Sequence, residues 1–118
     1  METTLNLRKK QSLFVQLVAV LVSEANRLGY ELTFGEAYRS AEEALRLAKL
    51  GKGIANSLHS LRLAIDLHAF KDGRFLSDTE DYRELGEAWE GLDPMCRWGG
   101  RFKRADGNHF SLEHEGRA

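Results

Sequence analysis

Apolar side chains at positions 13, 14, 17, 18, 21, 22, 25 and 28 keep to one face of a 3.6-residue repeat, which predicts an amphipathic helix from about Leu7 to Arg27. Gly29, free to take the left-handed geometry of a helix C-terminus, ends it. The period then changes. Tyr30, Leu32 and Phe34 alternate with polar neighbours, as in a strand with one buried face that runs towards Arg39 and bends at Gly35. Ser40 and Glu43 stand at capping-box spacing and open a short helix through Lys49, which Gly51-Lys52-Gly53 closes with a flexible loop. Leu63, Ile65, Leu67 and Ala69 alternate with Ala64, Asp66, His68 and Phe70 in a mostly buried strand, and Lys71-Asp72-Gly73-Arg74 is a hairpin turn. A second box, Ser77 with Glu80, starts a helix to about Gly91 whose inward face is Tyr82, Leu85, Trp89 and Leu92, and Asp93-Pro94 breaks it. A Trp98-Gly99-Gly100 turn, a polar connection from Lys103 to Asn108 and a last strand from His109 to Leu112 follow. Helices alternating with strands joined by hairpins or long connections predict an α+β fold: a small, mostly antiparallel sheet flanked by helices.

Composition narrows the picture. A chain of 118 residues, 42% hydrophobic and 30% charged with one proline, is expected to form a single domain over residues 1–118 and is not a disordered or fibrous sequence. Its net charge of -1 provides no global cationic field for nucleic acid or an anionic membrane. Cys96, the lone cysteine, has no disulfide partner and builds no thiolate metal site by itself. Arg8-Lys9-Lys10 before Leu13 to Val22 superficially imitates a secretory signal. The helical spacing nevertheless continues past the supposed cleavage zone, and Ser23-Glu24-Ala25 is no small-x-small site. The apolar run is also far short of the roughly 20 residues that span a bilayer. Cytoplasmic synthesis without membrane insertion is the expectation.

Chemistry concentrates on one residue. A carboxylate in the middle of an apolar strand is costly to desolvate, so Asp66 needs a cation or strong hydrogen bonds. The histidines at 59, 68, 109 and 114 are the available ligand types, and two neutral imidazoles with one carboxylate make a catalytic zinc shell that leaves a fourth position open. Such a site keeps net positive charge and acidifies water, the chemistry of a hydrolase.

The residues around Asp66 resemble a known family. Ser57-Leu58-His59-Ser60-Leu61-Arg62-Leu63-Ala64-Ile65-Asp66 is similar to the SxHxxGxAxD signature of zinc peptidases that cut bacterial cell-wall peptides, among them D-Ala-D-Ala carboxypeptidases and the L-alanyl-D-glutamate endopeptidases of phage endolysins. Trp98-Gly99-Gly100-Arg101-Phe102 followed by Asp106-Gly107-Asn108-His109-Phe110 resembles the WGGxF and DxxHF segments of the endolysin branch. The resemblance covers about residues 34 to 113 and implies the hedgehog/DD-peptidase-like zinc peptidase fold. It implies His59, Asp66 and His109 as Zn2+ ligands, Asp106 as the catalytic carboxylate acting on the water, and Arg39 of Ala37-Tyr38-Arg39-Ser40 as a holder of substrate or developing oxyanion. It also implies peptidoglycan stem peptides as substrate, with endopeptidase preferred over carboxypeptidase, and the charge balance argues against a nucleic-acid partner. One residue departs from the pattern. Arg62 stands where the signature has glycine, which bears on local backbone geometry and the substrate pocket more than on the metal.

Plainer readings compete at each position. His59 alone reads as a capping or surface histidine, Asp66 alone as a structural carboxylate, and Asp106 before Gly107 as a turn former, with Glu113 its nearest rival as the base. Arg39 alone reads as a surface ion-pair partner. His68 reads as a core histidine or a group supporting Asp66, His114 as surface, Cys96 as an inert buried thiol, and Trp89 and Trp98 as core or pocket wall. Two other classes enter: a metal-dependent nuclease, suggested by Asp-Gly-Asn-His but opposed by the charge balance, and a non-catalytic phage structural or wall-binding domain. The expectation is a monomer that reaches the wall after membrane permeabilisation or by particle delivery.

Overall fold

A computed structural model describes residues 6–118; residues 1–5 of the expected domain lie outside the described residues. The first helix, α1, spans Leu7–Arg27. It starts where the Asn6 side chain accepts the Lys9 N–H at 2.8 Å and stops at Gly29, whose φ of 93° is left-handed. Then follow β1 (Glu31–Phe34), α2 (Ala41–Lys49), β2 (Ala64–Lys71), β3 (Arg74–Phe75), α3 (Arg83–Glu90), β4 (Cys96–Trp98) and β5 (His109–Leu112). The sheet is antiparallel in the order β1-β2-β5-β4, with β3 hairpinned onto the end of β2. Asp72 and Gly73 both have positive φ, the mirror-image turn that suits a tight hairpin. This is the α+β architecture read from the sequence, and no helix among the described residues is long and apolar enough to cross a membrane.

One apolar cluster joins α1, α3 and the sheet. Phe14 of α1 meets the Trp89 ring edge-on at 5.7 Å, and Trp89 in turn meets Phe110 of β5 at 6.2 Å. The buried indole N–H of Trp89 is shared between the carbonyls of Arg97 and Ser111, so this large ring leaves no donor unpaired. Successive side chains on β2 point to opposite faces. Leu67 and Ala69 enter the cluster, and Asp66 and His68 lie on the other face.

The structure departs from the sequence reading in several places. Strand β4 was not expected. β1 stops at Phe34, which is 78% exposed instead of buried, because it lies on the sheet edge and the chain changes course at Gly35. The box expected at Ser77 and Glu80 sits one residue later: the Asp78 and Asp81 side chains cap one another's backbone ahead of a tight turn, Thr79–Tyr82, that leads into α3. At α2 only half of the expected box forms. Ser40 Oγ accepts the Glu43 N–H at 3.0 Å, but the Glu43 carboxylate pairs with Arg46. His114 is mostly buried, its Nδ1 3.1 Å from Lys10 Nζ, and so is not a surface residue.

Candidate active site

Three elements bring the site together. His59 stands in a short helical turn, Leu58–Leu61, capped by Ser57 Oγ, which accepts the His59 N–H at 3.1 Å. Arg62 ends that turn with φ 57° and ψ 36°, a left-handed conformation that glycine adopts without cost. The departure from the signature therefore falls where backbone shape alone explains a glycine. The Arg62 guanidinium lies over the Tyr38 ring, 4.1 Å from its centre, and does not line the cavity described below. Asp66 on β2 and His109 on β5 are directly opposite each other in the ladder, so strand pairing alone makes them neighbours. Gly35 lets β1 pass close over Asp66: its N–H donates to the Asp66 carbonyl at 2.8 Å, and a Cβ there would sit 2.9 Å from that oxygen.

Ligand-type atoms of His59, Asp66 and His109 all lie within 4.8 Å of one another. Asp66 Oδ1 is 3.4 Å from His59 Nε2 and 3.2 Å from His109 Nδ1. His59 Nδ1 donates to the Ala37 carbonyl at 3.1 Å, which leaves Nε2 as the bare nitrogen facing the carboxylate. Two acceptors facing each other need a positive centre between them. Burial disfavours the charged imidazole of His59, but the hydrogen bond and charge of Asp66 outweigh it and raise its pKa. Burial also works against the charged carboxyl of Asp66, and the two imidazoles outweigh that, holding it well below the usual carboxylate range. His109 Nε2 is buried with no partner. Two imidazole nitrogens and a carboxylate oxygen, dry on one side and open on the other, are a donor set that fits a divalent cation.

Asp106 arrives by a different route. Trp98 donates its indole N–H to the Gly107 carbonyl at 2.7 Å, and the Gly99 carbonyl accepts the Asp106 N–H at 2.9 Å. The His109 N–H then closes a turn onto the Asp106 carbonyl at 3.1 Å, so Gly107-Asn108 does turn sharply enough to face Asp106 towards the cluster. Its Oδ2 is 3.9 Å from His109 Nδ1. Partial burial raises its pKa; the nearby imidazoles oppose that and the Asp66 charge adds to it. Glu113, the rival carboxylate, accepts the Gly116 N–H at 2.8 Å and does not line the cavity.

A cavity of about 450 Å³ opens over these groups, walled by Phe102 and Ile54 and reached by Arg39. Arg39 is mostly buried, and its Nε donates to Glu36 Oε1 at 2.7 Å. Its backbone N–H is tied to the His59 carbonyl, which fixes it beside the cluster. The sequence reading missed Glu36, which holds Arg39 and lies 4.0 Å from His59 Nδ1; its spacing three residues before the arginine was the available signal. It also missed the cavity residues Lys52 and Arg104. His68 lies 5.9 Å from the Phe75 ring and lines a separate, smaller cavity on the far side of Asp106. Cys96 is buried, and burial first and Asp93 second push its thiol up to about 12, so it offers no thiolate. Trp89 and Trp98 are both core residues.

Comparison with known proteins bears on this site directly. Residues 51–112, just over half of the chain and including His59, Asp66, Asp106 and His109, match a peptidase family model described as D-alanyl-D-alanine carboxypeptidase. Among curated proteins none matches the chain by sequence. The fold is similar to the crystal structure of the L-Ala D-Glu endopeptidase ChiX from Serratia marcescens, with a TM-score of 0.66 and 23% identity over 92% of this chain and 84% of that one.

Proposed function

Because the chain belongs to the peptidase family described as D-alanyl-D-alanine carboxypeptidase, we propose that it hydrolyses amide bonds of peptidoglycan stem peptides as a zinc-dependent L-alanyl-D-glutamate endopeptidase. The observation that carries this reading is the convergence of His59, Asp66 and His109 at the floor of an open cavity that Asp106 and Arg39 also line. The endopeptidase preference is supported by the Trp98-Gly99-Gly100 and Asp106-Gly107-Asn108-His109-Phe110 segments and by the structural likeness to an L-Ala D-Glu endopeptidase.

His59, Asp66 and His109 would hold the cation, and the N,N,O donor set favours zinc. When bound, zinc supplies Lewis acidity to a scissile carbonyl and acidifies water. The protein supplies the rest. Asp106, its pKa raised by partial burial, accepts a proton from the attacking water and returns it to the leaving amine. Arg39, held in place by Glu36, offers its guanidinium to the developing oxyanion. The Ala37 carbonyl fixes the His59 tautomer so that Nε2 keeps its lone pair. Phe102, 5.4 Å from the His109 ring, shields one side from water.

The test is hydrolysis of defined muropeptides followed by mass spectrometry. The expected result is cleavage between L-Ala and D-Glu, abolished by a chelator and restored by Zn2+. Activity that persists after the metal is stripped would overturn the metal reading. D-Ala-D-Ala carboxypeptidase is the second reading, favoured by the family description, and release of free D-alanine in the same assay would identify it. The nuclease alternative has no support from these matches.

A further inference from the structure

The cavity carries positive charge that the catalytic roles do not use. Lys52, from the Gly51-Lys52-Gly53 loop, and Arg104, from the connection before Asp106, both line it and both are solvent-exposed. Neither forms an ion pair among the described residues. Arg39, in contrast, is engaged by Glu36. The two loops touch: Arg104 Nη1 donates to the Gly51 carbonyl at 3.4 Å. That bond spends one of the five guanidinium donors and holds the rest beside the loop that carries Lys52. The Lys52 loop is itself fixed, its backbone N–H bonded to the Leu47 carbonyl at the end of α2. Gly53 allows the same loop to lie against Arg39, since a Cβ there would be 3.3 Å from Nη1.

An ammonium and a guanidinium that share a cavity wall and form no ion pair offer a receptor for an anion; of the acidic side chains that line the cavity, Asp66 is bonded to the His109 imidazole and Asp106 faces the same ring at 3.9 Å. A cavity of this volume is about 10 Å across, so an anion bound at the rim belongs to a group within one or two residues of the amide over the cluster. We infer that Lys52 and Arg104 form a carboxylate-binding subsite. Through it the enzyme selects acidic peptides that carry a free carboxylate next to the scissile amide, and it discriminates against the same peptide with that group as a carboxamide. The inference rests on the peptidase reading and adds the charge state of the substrate to it.

Two peptides test it, identical except that the α-carboxylate of the D-Glu residue is free in one and a carboxamide in the other. Calorimetry on the Asp106→Asn protein measures binding, and kcat/KM is measured on the wild-type enzyme. The free carboxylate is expected to bind about tenfold more tightly and to be cut with about tenfold higher kcat/KM, mostly through KM. In Lys52→Gln with Arg104→Gln the preference falls to about one. In Lys52→Arg with Arg104→Lys, which keeps both charges, it returns. Equal binding of the two peptides to the unaltered rim overturns the subsite, whether or not either is cut. Selective binding without cleavage leaves the subsite standing and removes the peptidase reading instead. A charge-retaining pair that fails to restore selectivity also overturns the proposal, because the residues then act only by fastening the loops.

Discussion

Gly99→Ala is the sharpest perturbation the structure offers. A Cβ built on Gly99 would lie 2.1 Å from the Asp106 carbonyl oxygen and 2.8 Å from His109 Cβ. The first of these is backbone, so no side-chain rotation relieves it. Ordinary contact is reached only after a displacement of about 1.3 Å, which falls on the turn that joins Asp106 to His109. Overpacking of this kind costs about 1–3 kcal/mol in stability, or roughly 4–15 °C in Tm for a domain of this size. Misplacement of reacting groups by about an ångström costs about a hundredfold in turnover, equivalent to about 2.7 kcal/mol of barrier. Gly91→Ala is the matched control: its Cβ would meet nothing closer than 3.6 Å and its φ is -78°. Muropeptide hydrolysis, thermal melting and zinc content on both variants make the assay. The expected result is a folded Gly99→Ala protein with turnover down about a hundredfold and weakened zinc binding, and a Gly91→Ala protein like wild type. Should a folded Gly99→Ala enzyme retain turnover within threefold, the claim that this glycine positions Asp106 and His109 fails.

Other outcomes follow from the same geometry. Asp106→Asn should lower kcat by about 10²–10⁴ while zinc stoichiometry stays at the wild-type value; loss of zinc would instead make Asp106 a ligand. Asp66→Ala or His59→Ala should abolish stoichiometric zinc binding measured after dialysis, and retention of one zinc per chain would exclude these residues from the shell. The Tyr30 hydroxyl donates to Glu84 Oε1 at 2.8 Å, and burial with this bond pushes its pKa up to about 12. A raised folded-state pKa contributes stability in full below about pH 10 and loses it as pH climbs through 12, so the Tm gap between wild type and Tyr30→Phe should close over that window. A gap that is constant from pH 9 to 12 would contradict this. Arg62→Gly removes about 1–2 kcal/mol of left-handed strain, but glycine's extra backbone freedom and the lost contact with Tyr38 offset it. Its Tm should move by no more than a few degrees and its turnover by less than twofold; a larger loss of turnover would place Arg62 in the substrate's path.

What could be read from the chain follows from how local each signal is. The limits of α1, Leu7–Arg27, and of β5, His109–Leu112, agree with the reading because a long periodic stretch and a short apolar run after a turn are determined within their own windows. β4 was invisible: three residues are too few for alternation, and Cys96 and Trp98 become a strand only by pairing with Leu112 and Phe110. Phe34 obeys the period of its strand yet lies outside, since its burial depends on what covers an edge and nothing local encodes that. At the site, Asp66 was legible because a carboxylate among Ile65, Leu67 and Ala69 demands a partner wherever it occurs. Lys52 and Arg104 were not, because exposed cations are ordinary residues until two distant loops fold onto one cavity. Glu36 escaped for a similar reason, as its role depends on the path of the chain around Gly35.

The Asp66–His109 pairing has a consequence for how such a protein can change. Both side chains are set by rungs of the sheet, so sliding either strand by one position would turn its donor to the opposite face and dismantle the seat altogether. The rim is held only by loop hydrogen bonds, from the Lys52 N–H to the Leu47 carbonyl and from Arg104 to the Gly51 carbonyl, and not by strand register. Substitutions or insertions in the segments bearing Lys52 and Arg104 can accumulate and alter which peptide is accepted, while the frame beneath keeps the cation's seat fixed.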